Sequence, residues 1–113
     1  MTENLFCIKI GRNEYKSIHI NDIVYFKADN SYTSIITSDG KELVISRPLS
    51  DFEECVHLRN FIRINRSIII NTAFISYMKL GNNPKIQTFN GETFKPSKSY
   101  LDNIKQFIKK HEN

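Results

Sequence analysis

At 113 residues the chain has room for one domain around one core and excludes a pair of independent ones. With 40% hydrophobic and 25% charged residues it has the balance of a folded globular protein, which excludes a solvated disordered polymer. Its net charge of +4 leans toward polyanionic partners without establishing one.

The first predicted strand covers residues 5–10 and the second 15–20, with a turn at 11–14 between them. Asn21 and Asp22 interrupt the pattern, and the apolar run at 23–28 has the character of a buried strand. A polar turn at Asp29, Asn30 and Ser31 leads into predicted strands over 32–37 and 41–45. Between these two, Ser38, Asp39 and Gly40 signal a hairpin, because Asp-Gly supplies a positive-φ position. Leu49, Phe52 and Val56 recur at helical spacing, and Asp51, Glu53 and Glu54 suit a helix N-terminus, so a short helix is predicted over 49–56.

A strand over 61–70 follows, with a break near Asn65 and Arg66. Asn71 and Thr72 form a turn, 75–80 is a further strand, and Gly81, Asn82, Asn83 and Pro84 are a loop. Segments 85–89 and 93–95 make a second hairpin around Asn90-Gly91, the preferred type I′ pair. Pro96 closes it, and Ser99 with Asp102 matches a capping box that opens the last element. There Tyr100, Ile104, Phe107 and Ile108 share one helical face, while Lys109 and Lys110 suit its C-terminus. The fold class expected is mainly β: packed short antiparallel sheets in a sandwich, with a short central helix and a C-terminal helix. A single domain is expected over 1–113, with its core at about 6–108.

The segment 61–71 carries the strongest functional signal. Large apolar groups alternate with Arg63, Asn65 and Ser67, and a strand of period two puts such residues in a row of hydrogen-bond donors. All of them can bind a phosphate, and the neighbouring Arg66 can also fork onto a guanine edge.

The order of these elements resembles the LytTR domain, a β-rich DNA-binding output module of bacterial response regulators. Asp22, Ile23, Val24, Tyr25, Phe26, Lys27 and Ala28 are similar to the family's Asp-Ile-x-Tyr-Ile-Glu-Ala. Tyr32, the Asp39-Gly40 hairpin and Leu49 follow in the expected order. Phe61, Arg63, Asn65, Arg66, Ser67, Ile69, Ile70 and Asn71 resemble the hallmark Phe-x-Arg-x-His-Arg-Ser-x-Ile-Val-Asn. After Pro96, the run Ser97, Lys98, Ser99, Tyr100 is similar to the family's Ser-Arg-x-Tyr. Two positions depart: Asn65 stands where His is usual and does not titrate, and Lys98 stands where Arg is usual and lacks the planar fork.

The resemblance implies that loops at the edge of the β structure, not a recognition helix, enter successive major grooves of duplex DNA. It assigns base contacts to Tyr32, Arg66 and Lys98. It assigns phosphate contacts to Ser46, Arg63, Asn65, Ser67 and Ser99; proximity and chemistry add Arg47, Ser50 and Lys95. Bent DNA is implied, as is a second copy on a repeated site, since one small module reads few bases. It also implies an N-terminal receiver domain in a longer parent chain, which would make this chain an isolated output domain or a short regulator.

No cofactor, metal or catalytic residue is expected. His19, His57 and His111 lack metal-ligand spacing, and neither a Gly-rich phosphate loop nor a serine elbow occurs. Cys7 and Cys55 show no CxxC spacing and are expected as buried thiols in a reducing compartment. No apolar run approaches the ~18 residues of a membrane span and no secretory leader opens the chain, so a soluble cytoplasmic protein is expected. Two alternatives stay open: a non-catalytic β-rich module that binds a protein in signalling, recognised by an exposed apolar patch, and a single-stranded RNA binder, recognised by aromatics on a sheet face.

Overall fold

Residues 4–54 and 60–113 are described by a computed structural model. Its strands are β1 (Leu5–Gly11), β2 (Glu14–His19), β3 (Ile23–Asp29), β4 (Tyr32–Thr37), β5 (Glu42–Ile45), β6 (Phe61–Arg63), β7 (Ile68–Asn71), β8 (Ile75–Lys79), β9 (Lys85–Thr88) and β10 (Thr93–Phe94). Helix α1 (Leu101–His111) follows them, and short 3-10 turns lie at Ile20–Asp22, Leu49–Phe52, Thr72–Phe74 and Lys98–Tyr100. Every strand pairing is antiparallel, in a two-stranded ribbon β1-β2, a three-stranded sheet β10-β9-β8 and a five-stranded sheet β5-β4-β3-β7-β6. The expected class, mainly β with packed antiparallel sheets, is the one observed.

The five-stranded sheet is a middle layer with an apolar cluster on each face. On one face Phe26, Ile35, Ile45, Phe61 and Ile69 pack with Ile8 of the ribbon and with Leu49 and Phe52 of the 3-10 turn. On the other, Val24, Tyr25, Ile64, Ile68 and Ile70 meet Ile86 of β9 and Ile104 of α1. Burial on both faces explains why β3 and β7 read as continuous apolar runs instead of alternating with polar residues. In β7 parity is simple: Ile69 enters one cluster, Ile68 and Ile70 the other. In β3 it is broken by a bulge between Ile23 and Tyr25, so Val24 and Tyr25 share a face while Ile23 and Phe26 share the opposite one.

A polar tie reinforces the second interface. The Tyr25 hydroxyl donates to Glu92 Oε2 at 2.6 Å, and its ring lies 4.8 Å from that of Phe94. Burial first, then the Glu92 hydrogen bond, pushes the Tyr25 phenol well above its usual range, so it remains a donor. Asn71, 4% exposed, donates to Ile23 O and accepts from Ala73 N, which is the backbone-satisfying role its turn position suggests.

Both predicted Gly hairpins form, with a different turn from the one expected at Asn90-Gly91. Type I′ needs positive φ at both central residues, and only Gly91 has it (φ 91°). Thr88 N donates to Glu92 O and Gly91 N to Thr88 O, closing a three-residue loop with Gly in the left-handed position. Thr37, Gly40 and Lys41 repeat this pattern, and in each hairpin the Thr hydroxyl bonds the side-chain oxygen two residues on, at Asp39 and Asn90. Gly91→Ala meets no steric neighbour, so its cost is backbone alone. The expected loss is about 1–2 kcal/mol, seen as a lower urea midpoint at constant m value.

Other expectations are corrected. Leu49–Phe52 is a 3-10 turn with Glu53 and Glu54 helical after it, and Cys55, Val56 and His57 lie outside the described residues. The second strand stops at His19, because Ile20 turns into the 3-10 segment, and β10 stops at Phe94 before Lys95. The side chain of Tyr100, at the cap position of α1, makes no capping hydrogen bond; Ser99 sits exposed inside the preceding 3-10 turn, where Tyr100 N bonds Ser97 O. Cys7 is exposed, not buried, since Phe6 and Ile8 face the core and period two turns the residue between them outward. Among the described residues no helix is long and apolar enough to cross a membrane, and no group of side chains has the makings of a metal site.

Candidate nucleic-acid interface

The strand order brings one set of termini to one end of the middle sheet. The C-terminal ends of β3, β5 and β6 and the N-terminal ends of β4 and β7 lie there, because each neighbour runs antiparallel. Hydrogen bonds join the loops at this end. Ala28 N donates to Ser67 O at 2.8 Å, and the Thr33 hydroxyl to Arg47 O at 2.8 Å. Ser97 N donates to Ile64 O at 2.9 Å, and Asn65 Nδ2 to Lys95 O at 2.9 Å. Tyr32, Ser46, Arg47, Arg63, Asn65, Arg66, Ser67, Lys95 and Lys98 therefore belong to one continuous rim, with Ser50 and Ser99 in the 3-10 turns beside it.

The break expected near Asn65 and Arg66 is present, so these donors leave a loop and not one unbroken strand. Ile64 N bonds Ile68 O at 3.1 Å, so the chain doubles back between β6 and β7 instead of continuing as a strand. Asn65 causes this locally: its Oδ1 accepts from Ser67 N at 2.8 Å, a side-chain mimic of a backbone turn. Asn65 thus has both ends of its amide engaged by the protein. Ile64 points inward and is fully buried, which holds the loop down while Arg66 and Ser67 stand exposed at its tip.

Among the described residues Arg63 is the most engaged cation. Its guanidinium donates to the carbonyls of Asn65 and Arg66 and to the Glu53 carboxylate, and it lies 5.4 Å from the Tyr100 ring centroid. Asn103 Nδ2 in turn donates to Arg63 O at 3.2 Å. Arg47 is partly engaged, with Nε 3.1 Å from Asp51 Oδ2 and its guanidinium 5.0 Å from the Phe52 ring centroid. Among the described residues no hydrogen bond or ion pair holds the side chains of Arg66, Lys95 or Lys98, and all of these are exposed. A surface pair between Arg66 and Glu53 or Glu54, the ordinary alternative for this arginine, does not form; Glu53 binds Arg63 instead. Tyr32 is 48% exposed, so it is not a core tyrosine.

Sequence reasoning did not select Glu53, Tyr100 or Asn103, whose roles exist only through contacts with Arg63. It also passed over Lys27, an exposed cation late in β3 that pairs across to Ser34 and Ile68. The available signal was a lone charge inside an apolar strand.

Comparison with known proteins bears on the fold and the family. The model of the LytTr DNA-binding domain family matches residues 13–109. The sensory transduction protein LytR of Staphylococcus saprophyticus is 31% identical over 93 residues, which cover 80% of this chain and 36% of LytR. The chain thus spans about a third of the length of that relative. A solved LytTr DNA-binding domain from Bacillus cereus superposes with a TM-score of 0.75 at 20% identity, covering 93% of this chain and 96% of that one. The chain belongs to the LytTr DNA-binding domain family.

Proposed function

We propose that the chain binds duplex DNA sequence-specifically through the rim of its middle sheet, as the output segment of a transcriptional regulator. The observation that carries this reading is the pairing of two exposed, uncommitted cations, Arg66 and Lys98, on loops fastened to each other by the Ser97–Ile64 and Asn65–Lys95 hydrogen bonds. Loops tied in this way keep a constant spacing, which groove reading requires. Arg66 is assigned to guanine O6 and N7, Lys98 to the same acceptors as a point donor, and Tyr32 to a hydroxyl contact or a thymine methyl. Ser46, Ser50, Ser67, Lys95 and Ser99 are assigned to phosphates, with Arg47 and Asn65 beside them in a supporting place. No cofactor enters this function. The family membership, and the DNA-binding domain named in it, support the reading.

A longer parent with a receiver domain, and paired binding on a repeated site, belong to the same proposal. Coverage of only 36% of LytR supports the first. The second follows from how few base pairs one rim of this size spans.

Selection from a random duplex pool tests the proposal. The expected outcome is enrichment of a defined motif, bound with log K falling linearly in log salt at a slope of about −0.9 per phosphate neutralised. Equal affinity for selected and scrambled duplex at every salt concentration would refute sequence-specific binding, and salt-insensitive capture of a protein partner would favour the signalling-module alternative.

A further inference from the structure

We propose that Arg63 is a positioning residue for the reading loop, with Glu53 as its partner, and not a phosphate ligand. This rests on the DNA-binding function above and assigns a different part to one of its residues. The guanidinium binds the carbonyls of Asn65 and Arg66, which are the two that bracket the Arg66 Cα. Gripping both orients the backbone from which the Arg66 side chain leaves. Glu53 and the Tyr100 ring hold the guanidinium from its other sides, and the Arg63 side chain is 17% exposed. Tyr100 belongs to the turn that begins with Lys98, so the same clamp touches the base of both reading loops.

The chemistry selects arginine for this work. A planar fork with five N–H groups can serve carbonyls and a carboxylate together, whereas an ammonium cannot span them. The carboxylate matters as much. A cation meant for DNA would face outward unpaired, as Arg66, Lys95 and Lys98 do. Arg63 instead has its charge neutralised by Glu53, and an acid held that close would repel a phosphate arriving at the same nitrogen.

The two roles predict opposite results for Glu53→Gln. If Arg63 bound phosphate, removing the acid would free it and strengthen binding to any duplex. If Arg63 is a clamp, Glu53→Gln weakens the selected duplex about tenfold relative to scrambled duplex, since a charge-assisted hydrogen bond that orders the loop is gone. Arg63→Lys should do the same, because it keeps the charge and loses the fork. For both variants the salt slope on scrambled duplex stays at the wild-type value.

The proposal is overturned if Arg63→Lys discriminates as wild type does, or if Arg63→Gln flattens the salt slope by about one phosphate contact. Hydrogen exchange on the DNA-free protein gives a reading independent of DNA. Exchange at the Ser67 amide, which Asn65 Oδ1 holds at 2.8 Å, rises about tenfold in Glu53→Gln with the melting temperature little changed, and unaltered exchange there overturns the clamp. Wild-type protein that prefers no duplex, combined with faster exchange in Glu53→Gln, would retire the DNA-binding function while leaving the clamp standing.

Discussion

Arg66→Ala lowers affinity for the selected duplex by about 5- to 150-fold and leaves affinity for scrambled duplex nearly unchanged, the signature of about 1–3 kcal/mol of lost base discrimination. The expectation follows from the state of the side chain before DNA arrives. Arg66 is exposed, and the ion pair that Glu53 offers goes to Arg63 instead, so no internal partner must be given up on binding. Its backbone is already fixed through the Asn65 turn and the Arg63 contacts, so little main-chain entropy remains to be lost. Lys95→Ala is the matching control. Lys95 lends its carbonyl to Asn65 while its ammonium is free, so its removal should weaken all duplexes alike and flatten the salt slope by about one contact. Equal losses on selected and scrambled duplex for Arg66→Ala would make it a backbone contact and move the base-reading role to Lys98 or Tyr32.

Legibility in the sequence followed the range of the forces involved. The turns around Gly40, Gly81 and Gly91 were visible because left-handed φ is a local demand on one residue. The positions of β3, β4 and β5 were visible because apolar runs bounded by polar turns are local too. The exact hairpin type at Asn90 was not, since it depends on which carbonyl meets Thr88 N across the strands. Nor was the bulge at Val24, as a residue added to one strand leaves no mark in a stretch apolar on both faces. At the interface, Arg66 and Lys98 stood out by motif. Arg63 carried the same motif weight, yet its engagement is decided by Glu53, ten positions earlier, and by Tyr100 in another element. Asn65 shows the same limit: a short amide reads as a free donor until the Lys95 carbonyl is brought beside it.

The costliest substitution expected is Phe26→Ala. Phe26 is 1% exposed at the centre of an aromatic group, stacked on Phe52 at 5.2 Å, tilted against Phe61 at 5.6 Å and edge-on to Phe6 at 6.4 Å. Removing a buried ring costs about 3–5 kcal/mol in transfer and cavity terms, and the lost aromatic pairs place this site toward the upper end. Against a typical stability of about 5–15 kcal/mol the variant folds with little margin, and its melting temperature should fall by about 10–20 °C. Phe89→Ala, at 73% exposure on a hairpin tip, should stay within about 0.5 kcal/mol of wild type. A loss under about 1 kcal/mol for Phe26→Ala in urea unfolding would mean the first cluster does not hold the ribbon to the sheet.

The same variant reaches both halves of the interface. Phe52, the ring stacked on Phe26, is the platform for the Arg47 guanidinium, so loosening it disturbs Arg47 and the neighbouring Ser46 and Ser50. The loop bearing Arg66 is anchored by Ile64 and Ile68, and the helix after Lys98 by Leu101 and Ile104, all in the other cluster. Measured below its melting range, Phe26→Ala should therefore weaken scrambled duplex through Arg47 and also lower the selected-to-scrambled ratio, because Glu53, the partner of Arg63, follows Phe52 directly. An unchanged ratio would show that Glu53 keeps its hold on Arg63 without the Phe26–Phe52 stack.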